Sequence, residues 1–418
     1  MASNLLTPIL EGGIRSTNFF NGRLLSGEDL SQEQSANREA RRHLGRTIGD
    51  GVAYGLEVAK SSGSTTVQPV ISVSPGLAVN RKGQTLTLPT KTDISLVRSL
   101  ESSDSEGKTF VDCRPTNPDI YVAGAGAYVL LISPAKGSEG RAPTSGVGNV
   151  PASCNTKHLI DGVQFRLLKL DISDQDLSDT VGMRNRLAYK CFGVTDSSLT
   201  DYVSDPFGEH DPRYGLLDGL RPKILTDCDV PLALLYWTST DGIVFIDTWA
   251  VRRRVTPPGS NEEWLPQATA RRISEGEAMF LQFRDHILDL MGGTPNLGSF
   301  KATEEFDYMP SLGIIPFALP RSVSAFSLEF FKGMTTSKPV FIEGARLPDL
   351  IHRSFSFPPI DLNSKEVLWL YLVRENSEAI ENQEADAPKG YLVISNGHMP
   401  FAGAAHFDLS RWDYSNYS

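Results

Sequence analysis

Apolar residues recur at two different spacings in this chain, and the spacing changes at Pro257-Pro258. Before this point, from Val52 to Val255, short runs rich in β-branched and aromatic residues alternate with turn residues, as strands do. After it, one long stretch carries apolar residues at helical spacing. The sequence therefore predicts a multidomain α+β protein. Its expected segments are an N-terminal segment with a helix (1–50), a β-rich, sandwich-like domain (51–257), a long helix (258–298) and a smaller α+β domain (299–418).

The first helix is predicted from its start and stop signals. Ser26, with Asp29 three residues later, fits a capping box, and Gly49 follows the last helical position near Ile48. An Asn21-Gly22 pair before the helix predicts a turn. The helix is mostly polar, and such a helix tends to bridge other elements or to lie at an interface.

The second long helix is predicted from about Asn261 to Met291, and its apolar residues form a narrow stripe. No antiparallel helix of equal length is evident elsewhere in the chain, which favours self-association or docking on the first helix. The candidate oligomerisation residues are Ile273, Phe280, Phe283, Ile287 and Leu290.

Charge and composition exclude several classes of protein. A formal net charge of −10 argues against nucleic acid as a partner, since that role needs a basic surface. No apolar run approaches the ~20 residues that span a bilayer, so direct membrane insertion is not expected. The first residues lack the features of a signal peptide, which favours folding in the cytoplasm. The 4 cysteines favour reduced thiols, although two disulfides remain open.

Motifs of common enzymes are missing from the sequence. It contains no phosphate-binding loop, no G-x-S-x-G elbow and no H-E-x-x-H, so no cofactor and no enzymatic activity are predicted. The acids and the imidazole of Asp205–Arg213 could reach a cation, which would suit a metal-dependent hydrolase. A polar turn-rich loop is the favoured interpretation of that segment.

Arginines are grouped on the first helix. Arg38, Arg42 and Arg46 are four residues apart and share one face, which is either a docking surface or simply a solvated face. For Arg252–Arg254, pairing with acids of a neighbouring domain or subunit is favoured.

The segment Asn18–Gln34, NFFNGRLLSGEDLSQEQ, resembles an N-terminal signature of proteins from contractile injection systems, which are phage-tail-like machines. It is similar to the opening of the trimeric baseplate adaptor of type VI secretion, which has a β-rich shoulder, a helical neck and a C-terminal head. Weaker matches follow in the same order along the chain. They are Arg184–Ala188 with Cys191–Gly193, the hairpin from Pro231 to Arg253, Phe306–Pro310 with Gly313–Pro316, and Pro358–Leu362.

The resemblance implies a structural baseplate component that assembles in the cytoplasm. It would dock on baseplate wedge proteins by its N-terminus, form a homotrimer through the long neck helix, and present its C-terminal domain to an envelope or membrane-protein partner or a receptor. The implied partner-binding residues are Phe19, Phe20, Asn21, Gly22, Arg23, Leu24 and Leu25, with Arg38 and Arg42 on the helix behind them. The same apolar residues could instead form a small core under the first helix.

A glycan-binding, fibre-like receptor protein is an alternative from another class. In that case exposed aromatics of the tail, such as Trp412 and Tyr414, would stack on sugars. The sequence leaves open the identity of the partner and of the target membrane. It also leaves open whether the particle stays in the cell or is released.

Overall fold

A computed structural model shows an α+β protein whose N-terminal part is rich in strands, which confirms the predicted fold class. The residues it describes are 13–96, 126–141, 156–173, 176–177, 181–192, 215–221, 223–238, 240–256, 270–292, 300–317, 329–355, 357–362, 367–375 and 390–397.

The helices and strands are short except for two helices and one hairpin. The helices are α1 (Gly27–Ile48), α2 (Met183–Phe192), α3 (Gly215–Gly219), α4 (Ala270–Met291), α5 (Ala302–Glu305) and α6 (Leu347–Ser354). The first ten strands are β1 (Gly51–Gly55), β2 (Val58–Lys60), β3 (Val70–Val73), β4 (Gly76–Val79), β5 (Thr85–Leu88), β6 (Thr92–Ser95), β7 (Gly126–Arg141), β8 (Thr156–Lys169), β9 (Val230–Thr238) and β10 (Gly242–Asp247). Six more follow α4: β11 (Tyr308–Met309), β12 (Leu312–Phe317), β13 (Val340–Ile342), β14 (Ile360–Asp361), β15 (Trp369–Val373) and β16 (Gly390–Ser395).

Helix α1 begins and ends where its local signals predict. The Ser26 hydroxyl accepts a hydrogen bond from the Asp29 backbone N–H, and the Asp29 carboxylate accepts one from the Ser26 backbone, which completes the capping box. Gly49 follows Ile48 with φ +105°, and its N–H donates to the Gly45 carbonyl. Both ends therefore depend on contacts between near neighbours in the chain.

The β-rich part consists of three sheets, with strand orders β1-β4-β5, β2-β3-β6 and β10-β9-β7-β8. Strand β7 is central and is buried on both faces over its first half. Tyr128, Leu130 and Ile132 join a core with residues of the two smaller sheets, whereas Val129 and Leu131 face a second core with α2 and α4. Because successive side chains of a strand point to opposite faces, β7 contributes side chains to both cores.

Helix α4 packs against other elements of this chain, whereas the sequence favoured self-association or docking on the first helix. Its partner is a sheet and not a helix. Phe283 and Ile287 are fully buried in a core formed with α5 and with strands of the four-stranded sheet β12-β16-β15-β13, while Ala278 and Met279 join the second core of the β-rich part. Helix α4 therefore contributes buried side chains to the cores on both sides of it.

Two of the three remaining predicted oligomerisation residues also pack on cores of this chain. Leu290 is partly buried against the same core as Phe283, and Phe280 packs beside Leu312 and Ile342. Ile273 is half-buried. The apolar stripe from Phe280 to Leu290 is therefore covered by the C-terminal part of this chain. The close fit is visible at Gly313, where a Cβ would lie 2.6 Å from a ring carbon of Phe283.

The cysteines differ from the reduced set expected from the sequence. Cys228 is disulfide-bonded, and its partner lies outside the described residues. Cys191 of α2 is a free, buried thiol, and burial raises its pKa to about 12. Among the helices that the structure describes, none is both long and apolar enough to cross a bilayer.

Candidate functional site

The chain before α1 folds back onto that helix. The backbone N–H of Thr17 donates to the Glu33 carboxylate at 3.1 Å, and its hydroxyl donates to the Asp29 carbonyl at 3.0 Å. Thr17 is buried by this contact. The residues between Thr17 and Ser26 consequently form a loop closed on the first turns of the helix. This loop, residues 17–26, is called the clip below.

A turn and an arginine hold the clip in shape. The Arg23 N–H donates to the Phe20 carbonyl at 3.2 Å, and Gly22 has φ +90°, the left-handed conformation that a type II turn requires at its third residue. The Arg23 guanidinium donates to the Asn18 carbonyl at 2.7 Å and forms an ion pair with Asp29. The predicted Asn21-Gly22 turn is thereby confirmed.

The Asp29 carboxylate links the clip to the helix cap. Hydrogen bonds from the backbone and hydroxyl of Ser26, followed by the charge of Arg23, hold the pKa of Asp29 below its usual value. Asp29 therefore remains ionised at neutral pH and serves the capping box and Arg23 at the same time.

The apolar side chains of the clip point to solvent. The exposed fraction is 53% for Phe19, 63% for Phe20, 93% for Leu24 and 52% for Leu25. The alternative in which they form a small core under α1 is therefore wrong. Four large exposed apolar side chains within seven residues are typical of an interaction site.

The predicted polar residues of the site have different surroundings. Asn21 and Gly22 are exposed at the tip of the turn, whereas Arg23 is engaged within the clip. On α1, Arg42 lies 3.4 Å and Arg46 lies 3.9 Å from the Glu39 carboxylate. The charge of Glu39 therefore neutralises part of the positive charge on this face of the helix.

Helix α1 contacts the β-rich part mainly at a glycine pair. Gly45 is buried against the turn between β4 and β5, where a Cβ on Gly45 would lie 2.1 Å from the Gly83 carbonyl oxygen. Asn80 anchors that turn, because its amide donates to the Cys228 carbonyl at 3.2 Å. The clip is thus joined to a helix that packs against the β4–β5 hairpin.

A buried polar network lies where the β-rich part, α4 and the C-terminal part meet. The Asp247 carboxylate accepts hydrogen bonds from Arg184 Nε at 2.8 Å, Gln282 Nε2 at 2.9 Å and the Ala250 N–H at 3.0 Å. Arg184 also pairs with Asp289 of α4. The three donors satisfy the Asp247 carboxylate, so this network suits a structural role.

The scattered motifs of the resemblance converge on this junction. The Asn185 side-chain oxygen accepts from the Asp307 N–H at 2.8 Å, and its amide donates to the Tyr308 carbonyl. Tyr308 stacks on Tyr189 at a centroid distance of 4.8 Å. The Arg253 guanidinium lies 4.6 Å from the ring centre of Phe192. Sequence reasoning noted these motifs separately and missed that they form one unit.

The triple arginine at the end of the hairpin is divided among several partners. Arg252 donates to the Leu56 and Gly55 carbonyls at 3.1 and 2.7 Å, which ties the β10 end to β1. Arg254 pairs with Glu277 of α4 at 3.2 Å, as the interdomain interpretation predicts. The pair between Arg254 and Glu277 attaches α4 to the β-rich part.

His286 of α4 lies beside this junction, 4.9 Å from the ring centre of Phe306. Burial, reinforced by the nearby charge of Arg184, lowers the pKa of His286 to about 3. The imidazole is therefore neutral at physiological pH and behaves as a packed residue.

The two alternative sites, Asp205–Arg213 and the tail with Trp412 and Tyr414, lie outside the described residues. Among those the structure does describe, no group of three or more histidines, cysteines and acids could hold a metal ion. Comparison with protein-family models and with curated proteins finds no match to this chain.

Proposed function

We propose that this chain is a structural, non-enzymatic baseplate component of a contractile injection system, and that it docks on baseplate wedge proteins through the clip. The observation that carries the proposal is the exposure of Phe19, Phe20, Leu24 and Leu25 on a loop held by internal hydrogen bonds. The same segment carries the resemblance to injection-system proteins.

The energetics favour a preformed clip. Burying a fully exposed Phe or Leu contributes about 1.5–3 kcal/mol, and each of these four side chains, 52–93% exposed, would contribute in proportion, against a cost of association of at least about 4 kcal/mol. Since Thr17, Arg23 and Asp29 already hold the loop, little further ordering is needed on binding. A single clip would therefore bind moderately, and several clips on one assembly would bind much more tightly.

A homotrimer belongs to the same proposal, because it would present three clips together. The α4 stripe does not form its seam directly, since Phe283 and Ile287 are covered by this chain's own residues. The junction around Asp247 would transmit force between the clip-bearing part and the C-terminal part.

The proposal assigns the C-terminal domain to an envelope partner or receptor. Val340 and Phe341 on the edge strand β13 are exposed and offer an apolar contact there. Assembly takes place in the cytoplasm. The disulfide at Cys228 favours a particle that later leaves this reducing compartment, because disulfides are rare inside it.

Co-purification tests the docking. The tagged full chain is mixed with baseplate wedge proteins of a contractile injection system, and a Phe19→Ser/Leu24→Ser variant is compared with wild type. Both side chains are more than half exposed, so the variant should fold and melt like wild type while losing the wedge proteins. Val67→Ser is the matched control, because Val67 is 79% exposed and lies outside the clip. Retention of the wedge proteins by the double variant would contradict the proposal.

A further inference from the structure

Six exposed side chains run along α1 in a single row. They are Leu30, Gln34, Asn37, Arg41, Leu44 and Ile48, and this row is called the α1 stripe below. Their separations alternate between four and three residues, which is the spacing of the contact positions in a coiled coil. The apolar members Leu30, Leu44 and Ile48 are 51%, 65% and 56% exposed.

The rest of the chain flanks the α1 stripe without covering it. On one side the first residue of the clip contacts the helix, through the hydrogen bond between Thr17 and Glu33. On the other side the β4–β5 turn contacts Gly45 through Gly83. Only Ala36 and Gly45 are buried in this helix of 22 residues. Because most of the stability of a helix in a protein comes from packing of its apolar face, a covered stripe would stabilise α1.

We propose that the α1 stripe is the self-association surface of this chain, and that it pairs in parallel and in register with α1 of further copies. The α1 stripe would be the contact surface of the proposed homotrimer. The inference rests on that proposed self-association, but it does not depend on docking to wedge proteins. The oligomerisation role expected for α4 passes to α1, because the apolar face of α4 is covered within the chain.

The flanking charges favour the parallel arrangement. With the α1 stripe as the contact row, Glu33 and Arg38 occupy the two flanking positions on opposite sides of it. In parallel helices these flanks meet at an offset of five residues, so Glu33 of one copy faces Arg38 of the next. Among the described residues Arg38 makes no ion pair within its own chain. In an antiparallel arrangement each flanking position would instead meet the same flanking position of the other copy. Near the middle of α1, Arg38 of one copy would then lie opposite Arg38 of the other or close to its Arg41.

The polar middle of the row sets the register. Gln34, Asn37 and Arg41 separate the apolar ends, and polar residues at contact positions fix alignment at a cost in stability. An out-of-register pairing would place Leu44 or Ile48 against these polar groups. The association should therefore be specific and should depend on protein concentration.

Sedimentation of the full chain over a range of concentrations tests the surface. Wild type should shift from 45.8 kDa toward a multiple of that mass as its concentration rises. The Leu44→Ser/Ile48→Ser variant should need about tenfold or more higher concentration for the same shift, since two apolar side chains leave the seam. Val67→Ser, which removes an exposed apolar side chain elsewhere, should associate as wild type does.

Charge reversal tests the direction and register. Glu33→Lys and Arg38→Glu should each weaken association by about two- to fivefold, as expected for an exposed ion pair, and the combined variant should recover. A structural defect caused by loss of the Thr17 contact at Glu33 would not be repaired by changing Arg38, so recovery supports the parallel pairing.

Three results would overturn the inference. One is a wild-type chain that stays at 45.8 kDa at every concentration. Another is a Leu44→Ser/Ile48→Ser variant that associates as strongly as wild type. The third is a combined charge reversal that does not recover although its thermal unfolding matches that of wild type, so that loss of the Thr17 contact at Glu33 is not the cause. In each of these cases wedge binding by the clip, measured with Phe19→Ser/Leu24→Ser, remains a separate result.

Discussion

The buried carboxylate of Asp247 should be essential for the stability of the junction. Asp247 is 1% exposed and receives hydrogen bonds from Arg184, Gln282 and the Ala250 N–H. An Asp247→Ala substitution removes all three bonds and leaves a largely buried guanidinium whose one remaining partner among the described residues is the exposed Asp289. Breaking a buried ion pair from one side costs about 3–5 kcal/mol, and each unsatisfied buried donor adds to that cost. We expect a loss of about 4 kcal/mol.

Urea denaturation followed by circular dichroism measures this loss, read from the first unfolding transition. Asp289→Ala is a matched control because it removes the other carboxylate of the same arginine, one that is 70% exposed. The control should change the free energy of unfolding by about 1 kcal/mol or less. An Asp247→Ala variant within about 1 kcal/mol of wild type would refute the view that this network joins the two parts of the chain.

Three further predictions concern other parts of the chain. The neutral imidazole of His286 has a folded pKa of about 3 against an ordinary value of 6.5, so the stability that depends on it is complete above pH 6.5 and falls as the pH drops toward 3. The loss at pH 5 should be about 2 kcal/mol, and His286→Leu should flatten the dependence in urea titrations at pH 5–7. Gly83→Ala should unseat α1 and expose it to limited proteolysis, because Gly83 has φ +76° and its Cβ would lie 2.0 Å from the Arg42 carbonyl oxygen. Gly63→Ala, which has open space around it, should resist proteolysis as wild type does. Cys191 should remain unalkylated in the native protein at pH 8 and react only after unfolding, as judged by mass spectrometry, since its pKa is about 12.

Local signals predicted several elements closely. The Ser26–Asp29 capping box and Gly49 gave both ends of α1, and Asn21-Gly22 gave the turn of the clip. These predictions succeeded because caps and turns are decided by side chains and dihedral angles within a few residues. The apolar spacing likewise predicted which face of α4 is buried, since Phe283 and Ile287 lie in the core.

The partners of these elements were less predictable. The spacing of apolar residues in α4 shows that one face of the helix is buried. It does not show what buries that face, because a sheet of the same chain and a second helix can do so equally well. The sequence favoured a second helix, and the structure has β12 and its neighbours there. In the same way, the apolar residues of the clip could have been a small core or an exposed surface until their exposure was known.

The sequence by itself determined the α+β class, the helix bounds set by local caps and the residues of the clip. Only the tertiary structure decided that the clip faces solvent and that Asp247, Asn185 and Tyr308 meet at one junction. The physical reason is the range of the interactions. Caps, turns and spacing act over one or two helical turns, whereas the contact between Asn185 and Tyr308 joins residues 123 positions apart. Which distant surfaces meet is settled by the packing of the whole chain.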